Sequence, residues 1–265
     1  METLSGTIDP DDRTYISMMK FFQVINQLGI FIIPSVIFAL LVTNNVAGYL
    51  SLDRFPRAVS ALLTILLIYT MLPAIHALVQ VNEHLQLPGN LEGLEEWMKE
   101  SESAAARLTE AFLNTGSPMG LLFNLFMVGV LAAVGEELLF RSVLIRLFRG
   151  WFGNVHMAVI VSSLLFSAFH LQFYGFLPRF MLGLVFGYLF VWSGSVWLPI
   201  LAHFVNNASA VIVYFLANKG VLKEDVKDFG ATDNYLLLII ATLISFLIGG
   251  YIYFSERRKR LSPQA

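Results

Sequence analysis

The chain has 265 residues, of which 57% are hydrophobic and 14% charged, and its mean hydropathy is +0.69. Soluble globular domains are about half apolar and about a quarter charged, so this composition predicts an integral membrane protein, organised as one domain over residues 1–265. The net charge of -2 excludes nucleic acid as an expected partner, and the absence of cysteine excludes disulfides, thiolate catalysis and cysteine-ligated zinc.

Seven apolar segments approach or exceed the length needed to cross a bilayer, which is about 20 residues. They lie at 21–50, 58–80, 118–149, 155–172, 178–193, 196–217 and 234–254. The fourth and fifth are short and more polar, so the number of spans predicted is six to eight. The fold class predicted is an all-α polytopic membrane bundle. The polar, acidic first 20 residues precede an apolar run too long for a signal peptide, so no cleavable signal is predicted.

One long polar connection, at about 81–117, separates the second and third segments. It opens with a turn at Leu87–Asn90, and apolar residues then recur at three- and four-residue intervals. This spacing predicts an amphipathic helix that lies on the bilayer surface or caps the bundle. A solvated connector and a substrate gate are equally compatible with the pattern.

Basic residues near the segment ends indicate the orientation. With seven spans most of them fall on one side: Arg54, Arg57, Arg146, Arg149 and 257–260. Cytoplasmic segments carry the excess of Lys and Arg, so the C-terminus is predicted to be cytoplasmic and the N-terminus external.

Ionisable residues occur together inside the third segment, as Glu136, Glu137 and Arg141. Such groups are costly at membrane depth and indicate a functional site by default. Residues four apart share a helix face, so Glu137 and Arg141 are expected to form an ion pair. Adjacent residues point about 100° apart, which leaves Glu136 free to act as a base or a ligand.

Three further polar side chains lie in later apolar segments: His170, which follows Phe166 by one turn, and the one-turn pair His203 and Asn207. With a rise of about 1.5 Å per residue, Glu136 lies about 21 Å and His170 about 22 Å from the loop that joins their helices. His203 and Asn207 lie about 10–15 Å from the same side. The four groups are therefore expected to meet inside the bundle, where Gln172, Tyr174 and Arg179 are candidates to line an entrance.

These motifs resemble the CPBP family of intramembrane endopeptidases, which includes the type II CAAX prenyl proteases and the Abi-type proteins. The family pattern is Glu-Glu-x-x-x-Arg, Phe-x-x-x-His and His-x-x-x-Asn, each on its own helix. All three occur here in order, within a core at about 118–217. Ser142 departs from the pattern, because many relatives have Gly after the Arg.

The resemblance implies a protease in which Glu136 and His170 activate water, His203 and Asn207 stabilise the oxyanion, and Glu137, Arg141 and Phe166 support the site. It implies either one divalent metal such as zinc, held by Glu136, His170 and His203, or a metal-free mechanism. The expected partners are the bilayer and a peptide or membrane-protein substrate, with prenylated proteins as one class. A non-catalytic scaffold or bacteriocin-immunity protein of the same fold is the alternative. A proton-coupled transporter is disfavoured, since no internal repeat is evident in the sequence.

Overall fold

The protein was analysed as a computed structural model that describes residues 13–84, 88–222 and 226–261. Within these ranges the long elements are all helices, and no strand occurs. We number the eight longest in chain order: α1 (Thr14–Val42), α2 (Ala58–Glu83), α3 (Glu92–Leu113), α4 (Pro118–Phe152), α5 (Val155–Ala168), α6 (Phe176–Ser193), α7 (Trp197–Asn218) and α8 (Tyr235–Leu261). The all-α polytopic fold predicted from composition is confirmed.

Six of these helices are long and apolar enough to cross a membrane, and α5, with 14 residues, is shorter. The count agrees with the six to eight spans predicted. The loop after α5 nevertheless reaches the far end of the bundle, because Asn82 at the end of α2 donates to the carbonyl of Phe173 at 2.6 Å. The chain therefore crosses the bundle through α5 and returns through α6.

The bounds of the first predicted segment differ most from the structure. The first apolar segment was expected at 21–50, whereas α1 ends at Val42 and a separate short helix covers Val46–Tyr49. Asn45 caps that short helix by accepting from the backbone N–H of Gly48, which explains the break. The predicted turn before the connection is present at Pro88, whose carbonyl accepts from Leu91 N–H, and Leu87 lies outside the described residues.

The connection forms α3, as predicted, with Glu92 and Glu95 in its first turn and an apolar stripe along one face. Trp97 on this stripe packs edge-to-face against Phe173, with ring centroids 5.4 Å apart. Glu102 accepts from the backbone N–H of Tyr174 at 3.2 Å. The helix thus contacts the loop between α5 and α6 through both an apolar and a polar contact.

Basic side chains gather at the opposite end of the bundle, which we call the basic end. Arg146 donates to the Ser51 hydroxyl at 2.7 Å and lies near Arg54 and Arg149. Lys259 donates to the Phe55 carbonyl. The predicted clustering of these residues on one side is therefore present, and the assignment of that side to the cytoplasm stays a prediction.

Glycines allow α6 to approach α5 closely. A Cβ added at Gly187 would lie 2.8 Å from Val159 Cγ1, and one added at Gly183 would lie 3.0 Å from Ser163 Cβ. Small residues four apart are a common device for packing membrane helices, because lipid provides no hydrophobic force between them. This contact fixes α5 against α6 beside the buried residues of α4.

We expect Gly187→Val to lower the free energy of unfolding by about 1–3 kcal/mol, because the added methyl groups would push α6 away from α5. Gly250→Val is the matched control, since a Cβ at Gly250 in α8 meets nothing within 4 Å. Thermal unfolding of both variants in the same detergent would measure the difference. Equal midpoints would show that the close approach does not stabilise the fold.

The helices α1 and α4 both depart from regular α geometry, at positions that lie near one another in the bundle. Wider π turns occupy Gln27–Ile32 in α1 and both Leu125–Leu131 and Leu138–Leu144 in α4. Polar side chains bond to one carbonyl in each turn: Ser35 to Phe31, Asn207 to Val128 and Ser162 to Phe140, at 2.6–2.9 Å. Such turns occur often at functional sites, and here they surround the two adjacent glutamates.

Candidate active site

Glu136 and Glu137 end a short α-helical stretch, Ala132–Glu137, between the two π turns of α4. Both carboxylates are buried, with exposed fractions of 7% and 0%. A buried carboxylate is stable only when charged or hydrogen-bonding partners compensate for lost water. The partners of each glutamate therefore indicate what each one does.

Glu137 is held by two cationic or hydrogen-bonding side chains. Arg141 Nη1 lies 2.9 Å from Glu137 Oε1, which is the ion pair expected from the spacing. The same oxygen lies 2.9 Å from His203 Nδ1 on α7. Because an ionised carboxylate only accepts, Nδ1 carries a proton, and Nε2 is the nitrogen directed away from Glu137.

Glu136 keeps one oxygen bound and one oxygen free. Its Oε1 accepts from Gln27 Nε2 at 3.2 Å. Its Oε2 has no hydrogen-bond partner in the described part of the chain and lies 3.9 Å from His203 Nε2. One water can bridge these two atoms, because at a separation of 3.9 Å it can lie within hydrogen-bond distance of both.

The aromatic rings of Phe166 and Phe186 pack against Arg141 and His203. Arg141 Cζ lies 4.5 Å from the Phe166 ring centroid and 5.4 Å from that of Phe186. The His203 ring stacks on Phe186 at 5.2 Å. Arg141 Nη2 also donates to the carbonyl of Gly183 at 3.3 Å. These contacts hold the guanidinium and the imidazole in fixed orientations within the bundle.

His170 follows the end of α5 and packs against Phe166. Its Nδ1 donates to the Phe166 carbonyl at 2.9 Å, and its ring centroid is 5.2 Å from that of Phe166. The side chain is exposed at the protein surface, and it interacts electrostatically with Glu136 and His203. The chain turns immediately afterwards at Leu171, which has a positive φ of 52°.

Asn207 lies one turn beyond His203 but makes a different contact. Its Nδ2 donates to the Val128 carbonyl in the first π turn of α4 at 2.9 Å, and its Oδ1 accepts from Asn206. The structure thus joins Glu137, Arg141 and His203 directly and places Glu136 within 3.9 Å of His203. It places His170 against Phe166, whose ring also contacts that of His203, and Asn207 against the backbone of α4.

The residues after His170 bond to one another and to α3. Arg179 donates to the Gln172 side chain at 2.8 Å, and Tyr174 N–H donates to Glu102. These bonds order the loop beside His170.

As one alternative, the resemblance implies a zinc site made of Glu136, His170 and His203. A structural or catalytic zinc takes at least three protein ligands about 2.0–2.3 Å from the ion. Glu136 Oε2 and His203 Nε2 face each other, but no group of three His, Asp or Glu side chains among the described residues converges as metal ligands would. This geometry does not fit a three-ligand zinc site.

Two residues with a place in this site were not identified from the sequence. Gln27 contacts Glu136 across 109 positions, and a single amide in an apolar run gives no motif. Ser142, noted only as a departure from the family pattern, donates to the Leu50 carbonyl at 2.7 Å and fixes α4 to the turn after α1. The partly polar face of the first segment was the only available signal for Gln27.

Comparison with known proteins agrees with the three motifs. Residues 118–209 match the family model described as type II CAAX prenyl endopeptidase Rce1-like. The chain is 34% identical over 106 residues to the membrane-embedded CAAX protease MroQ of Staphylococcus aureus (strain USA300), covering 38% of this chain and 42% of that protein. It is 30% identical over 100 residues to an uncharacterized 24.3 kDa protein of Escherichia coli, covering 36% and 46%. No solved structure matches.

The matched part contains Glu136, Glu137, Arg141, Phe166, His170, His203 and Asn207. The chain spans less than half the length of the curated relatives that it matches. The family resemblance inferred from the motifs is confirmed: residues 118–209 of this multi-pass membrane protein match the family model of the type II CAAX prenyl endopeptidases described as Rce1-like.

Proposed function

We propose that the protein is an intramembrane endopeptidase that hydrolyses a peptide bond with a water activated by Glu136. The observation that carries this proposal is the buried carboxylate of Glu136, which has one oxygen held by Gln27 and the other free, 3.9 Å from His203 Nε2. The family match of residues 118–209 supports the same reaction class.

In the proposed mechanism a water lies between Glu136 Oε2 and the histidines. Glu136 takes one proton from this water, assisted by His170, and the water oxygen attacks the carbonyl carbon of the scissile bond. The carbonyl oxygen becomes an oxyanion in the tetrahedral intermediate. When this intermediate collapses, the C–N bond breaks and Glu136 returns the proton to the leaving amine, so the carboxylate is regenerated.

The remaining residues act on the oxyanion and on the orientation of the catalytic groups. Glu137 at Nδ1 stabilises positive charge on the His203 ring, so Nε2–H can donate to the oxyanion. The second N–H of the Asn207 amide, beside the one bonded to Val128, supplies another donor. Arg141 holds Glu137 in place through their ion pair, since the arginine is itself held by Phe166 and Gly183.

We propose as substrate a peptide or membrane protein that reaches the site from the bilayer. The exposure of the His170 side chain supports entry of the substrate from the protein surface beside it. The relative from Staphylococcus aureus is named a CAAX protease, which makes a prenylated C-terminal peptide the first substrate to test.

The test is cleavage by the purified full-length chain in lipid vesicles. The substrates would be a farnesylated peptide, its unlipidated counterpart and a peptide pool, with products identified by mass spectrometry. We expect a defined product pair, and we expect turnover to persist after chelation and removal of bound metal. Loss of turnover on chelation that is restored by zinc would overturn the metal-free mechanism. Absence of any cleavage would favour the scaffold or immunity role.

A further inference from the structure

The first span contributes a buried amide to the site from outside the matched region. Gln27 lies in α1, whereas the family match covers only residues 118–209. Its side chain is 4% exposed, and its Nε2 donates to Glu136 Oε1 at 3.2 Å. Since an ionised carboxylate has only acceptor atoms, the amide nitrogen is the atom that faces it.

Local packing holds Gln27 in this position. The π turn begins at Gln27, and its wider backbone bond joins Ile33 N–H to the Leu28 carbonyl. Phe31 in the same turn packs against the rings of Phe140 and Phe169, at 6.2 and 5.4 Å. These contacts fix α1 against α4 and against the end of α5.

A glycine beside Glu136 allows the two helices to approach. A Cβ added at Gly135 would lie 3.1 Å from Phe31 Cβ and 3.2 Å from Gln27 Oε1. Any larger residue would therefore separate α1 from α4 and lengthen the contact between Gln27 and Glu136. The close approach thus brings the amide within bonding distance of the catalytic carboxylate.

The hydrogen bonding of Gln27 argues against a role limited to stability. A buried polar residue that only stabilises a fold normally has all its polar atoms paired. Gln27 Oε1 has no hydrogen-bond partner in the described part of the chain, so the amide leaves one polar atom unpaired while it binds Glu136. A methionine of similar shape would have no unpaired oxygen, but it would leave Glu136 Oε1 without a donor.

We propose that Gln27 is a positioning residue for peptide hydrolysis. By holding Oε1 of Glu136 it keeps Oε2 directed at the water between Glu136 and His203. The inference rests on the proposed endopeptidase function, and it assigns part of the catalytic arrangement to the first span, which the family match does not cover.

The test is Gln27→Met, which keeps the shape of the side chain and removes the donor. We expect kcat to fall about 10- to 100-fold, the effect of losing one hydrogen bond to a charged group, with KM changed less than about twofold. Gln23→Met, one turn earlier in the same span, is the matched control and is expected to keep the wild-type kcat. Thermal unfolding would show that Gln27→Met remains folded, with a lower midpoint than the wild type because Glu136 Oε1 loses its donor.

An infrared measurement makes the test independent of turnover. The difference spectrum between wild type and Glu136→Gln gives the carboxylate stretch of Glu136, and we expect Gln27→Met to shift that band. A wild-type kcat in Gln27→Met would overturn the positioning role whatever the spectrum shows. If the wild type cleaves no substrate but the band shifts, the contact between Gln27 and Glu136 is confirmed and the proposed endopeptidase function is wrong. An unshifted band would overturn the contact itself.

Discussion

Replacing Glu136 by glutamine is expected to lower kcat by about 10²- to 10⁴-fold while the fold is retained. The substitution keeps the size of the side chain and its contact with Gln27 but removes the base that accepts the water proton. The measurement is single-turnover cleavage of the peptide that the wild type processes best, in vesicles of the same lipid.

Glu256→Gln is the control for removing a buried carboxylate elsewhere in the bundle. Glu256 is 1% exposed and accepts from the backbone N–H of Arg57 at the start of α2, away from the site. The glutamine oxygen can accept the same bond, so we expect turnover to stay close to that of the wild type. Equal turnover in Glu136→Gln and Glu256→Gln would rule out Glu136 as the general base.

Replacing Arg141 by methionine is expected to destabilise the protein by about 3–5 kcal/mol, the usual result of removing one partner of a buried ion pair. Arg141 is 1% exposed and its partner Glu137 is fully buried, so the carboxylate would lose its main counter-charge. Chemical unfolding in detergent, followed by tryptophan fluorescence, would measure the change. Turnover should fall as well, because His203 is oriented by Glu137.

A double variant separates the ion pair from the packing of the arginine. If the cost arises from the uncompensated charge, Arg141→Met combined with Glu137→Gln should be more stable than Arg141→Met alone. Arg149→Met supplies the surface control, since Arg149 is exposed at the basic end. A change in Arg141→Met no larger than in Arg149→Met would mean that the buried pair does not stabilise the bundle.

Local features of the site could be predicted from the sequence. The spans follow from the length of apolar runs, and six of them are present as helices, five with bounds close to those expected. The pair between Glu137 and Arg141 depends only on two positions one turn apart, so helix geometry was enough to predict it. The amphipathic α3 was predicted in the same way, from the spacing of its apolar residues.

Contacts between distant positions could not be predicted in this way. His203 was expected to act on the oxyanion, but nothing in the sequence indicated that its Nδ1 binds Glu137, 66 positions away. Gln27 was overlooked because one amide in an apolar span resembles an ordinary buried polar residue. Glu136 was expected to point away from the face of Glu137, yet both carboxylates face the two nitrogens of His203.

The π turns of α4 make the number of residues in this span as important as their identity. Each π turn accommodates one more residue than an α turn, so the extra residue adds little rotation to the part of the helix that follows it. Losing one residue between Leu125 and Leu131 would restore the α repeat and leave Glu136 and Glu137 near their present rotation relative to α7. Losing one residue ahead of the glutamates in the regular α stretch Ala132–Glu137 would instead rotate them by about 100°, so they would face away from His203. In this span the loss of one uncharged residue can therefore be tolerated or can remove the site, depending on which turn loses it.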